Sequence, residues 1–263
     1  MNFRLILRFA LRMAKLTVCC AVIGYFFGVF YLSYFQPDPY KTLKISAFNI
    51  TLSKPIHMKA KELNIDGGII TFLHNSLLAF LFIAPLFLAG SGRMKWLFHS
   101  GGDQPPDGSW NDRIGRLIIR MMGLPKDARK KTIDLALLLN SVNWLSTGII
   151  AFFLGFTCAT LETICQTPLI LIAGLAPHGV IELPALFVAA GLPPALFSVL
   201  KSEIEKDGGA DTFSISRRIA GSKTVIAATL AVFIGFAAAG QIEDKITPKV
   251  IKYFNLSVKA KTK

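Results

Sequence analysis

The sequence predicts an all-α fold, a polytopic transmembrane helical bundle of about five crossings, one of them broken by prolines, with interfacial amphipathic helices. Three observations point to it. Hydrophobic residues make up 52% of 263 residues and charged residues only 17%, with a mean hydropathy of +0.51, and a soluble domain usually carries more charge. Several apolar runs reach the roughly twenty residues that cross a hydrocarbon core. Between them lie short segments rich in Lys and Arg. The formal net charge of +13 therefore reads as topology and contact with anionic lipid headgroups. No basic stretch is interleaved with aromatics as a single-strand platform would be, which argues against nucleic acid.

Residues 1–15 carry Arg4, Arg8, Arg12 and Lys15 on one helical face, opposite Phe3, Ile6, Leu7, Phe9 and Met13. This basic amphipathic segment suits the headgroup layer on the cytoplasmic side or leads directly into the first span. Residues 16–35 form the first span, a membrane helix rather than a cleaved signal, since the run is long and no small-residue cleavage site follows. Gly24 and Gly28 give it a GxxxG pair, a pattern of close helix packing. Residues 36–68 are the outer segment. Phe48, Ile50 and Leu52 alternate there with polar residues at a strand-like period of two, while Asp66-Gly67-Gly68 reads as a turn. An ordinary loop is the plainer expectation.

The second span is 69–89, with His74 and Asn75 near its start, and 90–131 is the most basic loop, holding nine Lys or Arg. Within it Trp110 to Met122 reads as an amphipathic helix, with Arg113, Arg116 and Arg120 on one face, suited to a lipid surface or a partner. Residues 132–158 form the third span, whose first half carries Asn140, Ser141, Asn143, Ser146 and Thr147. Such groups bond neighbouring helices or line a polar pathway. A tight outer turn from Ala159 to Thr167, holding Glu162, is expected next.

Residues 163–200 contain Pro177, Pro184, Pro193 and Pro194. The run from Pro168 to Leu200 would be about 50 Å long as one helix, against a core of about 30 Å. Prolines disfavour helical geometry before them. The expectation is two short pieces, about Thr163 to Ala176 and His178 to Leu192, sharing one crossing. A cytoplasmic loop at 201–223, a fifth span at 224–242 and a lysine-rich tail at 243–263 complete the chain. With the amino end inside, 18 basic residues fall inside and 11 outside.

The chemistry-bearing stretch is Pro177-His178-Gly179-Val180-Ile181-Glu182-Leu183-Pro184. Ionisable groups at membrane depth are costly, so this octapeptide is the best functional lead. In a structural reading, His178 and Glu182 satisfy each other and hold a broken helix in register. In a transport reading, they bind an ion, proton or small solute near the midplane, helped by Asn140, Asn143 and Glu243. An enzymatic reading is disfavoured. One His and one Glu are too few for a zinc site, and no HExxH, GxSxG or Gly-rich phosphate loop is present. No catalytic residue, metal or cofactor is therefore expected. The four cysteines make no zinc pattern. Cys158 and Cys165 would lie about 10.5 Å apart along one helix, too far to bridge.

Leu175 to Leu192, LAPHGVIELPALFVAAGL, resembles the signature of the stage II sporulation protein M family, Pro-His-Gly-x-x-Glu-x-Pro-Ala, at Pro177, His178, Gly179, Glu182, Pro184 and Ala185. Phe72-Leu73-His74-Asn75 is similar to the start of the family's early span. Ala238 to Glu243 with Pro248 is similar to its closing span, so the resemblance covers roughly 70–250. It implies a multi-pass protein of a bacterial or archaeal inner membrane. The family's namesake works with peptidoglycan-degrading partners during engulfment and is not itself a hydrolase. A non-enzymatic scaffold or assembly factor of an envelope complex is thus expected. Its partners would be membrane lipids, other membrane or cell-wall proteins and further copies of itself. A transporter or channel subunit is the alternative.

Overall fold

A computed structural model describes residues 2–46, 58, 59, 62, 63, 65–90, 128–165, 168–206 and 218–253. The described elements are helices: α1 (Phe3–Phe35), α2 (Pro39–Ser46), α3 (Gly67–Gly90), α4 (Ala128–Cys165), α5 (Pro168–Lys206) and α6 (Lys223–Lys245). Four of them hold segments long and apolar enough to cross a membrane: Phe3–Phe35, Asn140–Cys165, Ala173–Glu203 and Lys223–Lys245. The all-α bundle of the sequence reading stands, with 24-residue α3 as a fifth long helix.

Local chemistry sets several boundaries. Asn2 caps α1, its side chain accepting from the Arg4 N–H at 3.0 Å. Gln36 ends α1 in the left-handed region at φ 45°, ahead of Pro37, which could not continue the helix. Asp38 then accepts from the Tyr40 N–H at 2.8 Å, and Pro39 opens α2 at the position where a missing N–H costs nothing. Part of the outer segment is thus helix. The strand-like stretch at 48–53 lies outside the described residues, as do Trp110 to Met122 with Arg113, Arg116 and Arg120. Ser222 caps α6.

One open expectation is decided and two are corrected. The basic amphipathic segment and the first span are one uninterrupted helix, with Ile6, Ala10 and Met13 buried and Arg4, Arg8 and Arg12 exposed. Leu7, 46% exposed, shares the outward face with the arginines, and Arg12 lies 5.1 Å over the Phe9 ring. The predicted turn at 159–167 is still helical as far as Cys165, so Glu162 is a helical residue. Finally, α5 is not broken: all four prolines sit inside one 39-residue helix. Proline removes an N–H and frees the carbonyl four residues earlier, but an apolar surrounding offers no water as a substitute for helical bonding. Such prolines are accommodated when a neighbour satisfies the freed group. One freed carbonyl here is met by a side chain from α4, described below.

Helix α5 is central, packing against α1, α3, α4 and α6, while α1 packs most extensively on α4. Close approaches fix the directions. Gly24 of α1 faces Phe152 of α4, and Gly28 faces Phe156 and Ala159, so these helices run parallel. Gly191 of α5 meets the Ala10 N of α1, an added Cβ lying 2.6 Å away. Gly68 of α3 meets Gly240 and Gln241 of α6, and Ala185 of α5 meets Gly235 of α6. Helices α1, α4 and α6 therefore run one way and α3 and α5 the other, the alternation that five crossings require. The basic starts of α1 and α4 and the lysine-bearing end of α5 share one end of the bundle, hereafter the amino-terminal end. At 33, 38 and 39 residues, these helices are about 50 to 58 Å long and outreach a core of about 30 Å.

The core lies between α1, α3, α5 and α6. Ile6, Ala79, Ile83, Ala189, Leu192, Ala195, Val225, Val232 and Phe236 are its most buried members. Small residues let backbones approach where lipid supplies no hydrophobic drive, so packing itself holds the helices together.

Candidate functional site

The octapeptide lies early in α5, and its polar side chains meet the end of α6. His178 Nε2 lies 3.8 Å from Glu182 Oε2, one helical turn on. The antiparallel register adds Glu243, and ligand atoms of all three residues lie within 4.8 Å of one another. On the other side of the imidazole, His178 Nδ1 is 3.3 Å from Thr247 Oγ1. That buried hydroxyl donates to the Ile242 carbonyl at 3.4 Å. With the hydroxyl proton so placed, Oγ1 accepts from Nδ1–H. Nε2 is then the ring nitrogen that faces the two carboxylates. The side chains of His178 and Glu182 are 12% and 24% exposed, which leaves the cluster partly open.

Glu243 and Thr247 lie at the very end of α6 or just beyond it. The cluster is therefore near the end of the bundle opposite the amino-terminal end, not at the midplane that the sequence reading assumed. Asn140 and Asn143 do not join it. Asn140 Oδ1 accepts from Trp144 Nε1 at 3.1 Å. Asn143 is buried, and its Nδ2 donates to the Ala190 carbonyl at 2.7 Å. Ala190 is the residue whose carbonyl Pro194 leaves without a helical donor. Asn143 thus supplies from α4 the hydrogen bond that the proline removes, and α5 continues. Thr147, Thr160 and Thr163 bond back to carbonyls of their own helix.

Pro177 and Pro184 lie within α5. A Cβ on Gly179 would meet only the Leu183 Cδ1, at 3.9 Å, so no close approach demands glycine there.

Beside the cluster a second polar link joins α3 to α6. Asp66 caps α3, accepting from the Gly68 N–H at 2.9 Å and the Ile69 N–H at 3.3 Å. Gln241 Nε2 donates to the same carboxylate at 3.1 Å, and Lys245 Nζ stands 3.6 Å from its other oxygen. The Gln241 amide is the main reason that Asp66 is held below the ordinary carboxylate pKa, with Lys245 and the two backbone N–H groups adding to it against the cost of desolvation. The Asp-Gly-Gly turn is therefore a cap and a clasp together. Composition marked the turn, but nothing local could mark its partner so far along the chain. A third link joins α1 to α4, where the Tyr25 hydroxyl donates to Glu162 Oε2 at 2.5 Å. All four cysteines are free.

Residues 134–248 match the family model described as Stage II sporulation protein M. The chain carries a stage II sporulation protein M region. That region takes in α5, α6 and most of α4, and with them His178, Glu182, Glu243 and Thr247. It is narrower than the resemblance suggested: Phe72 to Asn75 fall before it, whereas the closing segment through Pro248 falls within it. No curated protein and no solved structure matches the chain.

Proposed function

We propose that the chain is a non-enzymatic membrane scaffold or assembly factor of an envelope complex, a role of the kind that stage II sporulation protein M implies. The engulfment role of the family's namesake is not carried over with it. One observation carries this reading, the use the bundle makes of its polar groups. Tyr25 with Glu162 joins α1 to α4, and Asn143 with Ala190 joins α4 to α5. His178 with Thr247 joins α5 to the segment after α6, and Asp66 with Gln241 joins α3 to α6. Each link sits at a different seam. A conduit would gather such groups along one path, whereas a platform for other proteins needs fixed helices. The positive-inside rule puts the amino-terminal end of the bundle in the cytoplasm, where its protruding helices offer a surface to partners.

A transporter or channel subunit is the second reading, favoured by the convergence of His178, Glu182 and Glu243. Purification of the tagged chain from its native membrane, with mass spectrometry of what accompanies it, tests the first. Stoichiometric recovery of a membrane or cell-wall protein is the expected result. Recovery of the chain alone from mild detergent would count against it.

A further inference from the structure

We propose that His178, Glu182 and Glu243 form a binding site for one divalent transition-metal ion, which clamps the start of α5 to the end of α6. The inference goes beyond the scaffold reading and holds whether or not the bundle moves a solute. The sequence presents only one His and one Glu at helical spacing. The fold adds a second carboxylate from another helix, bringing the donors to one nitrogen and two oxygens, the three-ligand count of open zinc sites.

Distance, orientation and charge agree. A tetrahedral ion with bonds of about 2.1 Å holds its ligand atoms about 3.4 Å apart. The pair His178 Nε2 and Glu182 Oε2 stands at 3.8 Å, and the whole set lies within 4.8 Å, so rotation of flexible glutamate side chains closes the difference. Thr247 is the independent second feature. A metal-bound imidazole regularly donates its other N–H to a fixed acceptor, which sets its tautomer and aim. The buried Thr247 hydroxyl does this at Nδ1 and points Nε2 at the carboxylates. Two carboxylates this close to each other repel strongly outside bulk water. Lys245, two residues beyond Glu243, is directed instead to Asp66 and Gln241. A divalent ion cancels both negative charges and leaves one coordination position open where Glu182 is partly exposed.

The donor set chooses the class of ion. Magnesium and calcium need six or more oxygens and take imidazole poorly, and no thiolate is present to favour a soft ion. One imidazole with two carboxylates suits Zn2+ or a neighbouring first-row ion.

The test uses the full chain in detergent, stripped with EDTA and titrated with Zn2+ at neutral pH. One Zn2+ should bind per chain and raise the unfolding midpoint by about 5 °C or more at a hundredfold excess over Kd, with Mg2+ at the same concentration leaving it unmoved. Glu243→Gln, which keeps the side-chain volume, should abolish the shift while helical circular dichroism without metal is unchanged. Thr247→Val should keep one Zn2+ per chain and weaken it about ten- to a hundredfold. X-ray absorption on the unmodified chain gives an answer independent of the variants, and should find nitrogen and oxygen ligands without sulfur. No Zn2+ binding, an equal response to Mg2+, undiminished binding by Glu243→Gln, or a shell containing cysteine sulfur would each overturn the proposal.

Discussion

Gly155→Leu is expected to separate α1 from α4 and to cost more than the roughly 1–3 kcal/mol of ordinary overpacking. An added Cβ at Gly155 would overlap the Ala21 carbonyl oxygen of α1, with the Tyr25 N 2.8 Å away. On the facing helix an added Cβ at Gly24 would overlap the Phe152 carbonyl oxygen and lie 2.8 Å from the carbonyl carbon. These obstacles are backbone, which cannot swing aside as a side-chain tip can. Parting the helices would also stretch the Tyr25–Glu162 hydrogen bond and open the Phe27 contacts with Phe152 and Phe156, whose ring centroids lie 5.6 and 5.9 Å away. Gly155→Ala should already destabilise. Gly174→Ala is the control, since a Cβ there meets only Ile251 Cδ1 at 3.9 Å. Equilibrium unfolding in mixed micelles measures all three, and the Gly155 variants should unfold at lower denaturant than the control.

Asn143→Leu is expected to cost about 1–2 kcal/mol, because it strands the buried Ala190 carbonyl that Pro194 has already deprived of a donor. The cause is specific and can be isolated. Pro194→Ala restores an N–H four residues after Ala190, so the carbonyl regains its helical bond. Asn143→Leu in that background should then cost less than half as much. A double-mutant cycle on unfolding free energy removes the separate effect of the proline's lost volume. Equal costs in the two backgrounds would show that Asn143 serves something other than the proline site.

These two predictions mark what was legible in the sequence and what was not. Helix identity and most span positions follow from local apolar runs, and Gly24 and Gly28 lie on the seam that their spacing suggests. The prolines of α5 depart from expectation because local rules treat each as a stop. What keeps the helix whole at one of them is Asn143, far away in the chain and satisfying a carbonyl that no window of sequence contains. The same holds for the candidate site. His178 and Glu182 are neighbours by helical period and were visible at once. Glu243, named only as a possible helper, is brought in by the antiparallel register of α5 and α6. Asn140 and Asn143 share its polarity but belong to other contacts. Thr247 carries no signal of its own, since a threonine after a helix is ordinary until the imidazole it faces is known.

The central claim is that these polar groups fasten helices and do not line a route through the membrane. Proton and divalent-cation flux through the purified chain in sealed liposomes tests it most directly, with Glu182→Gln run beside it. The account predicts flux no greater than that of protein-free liposomes for both proteins. Robust flux through the unmodified chain that Glu182→Gln abolishes would contradict it.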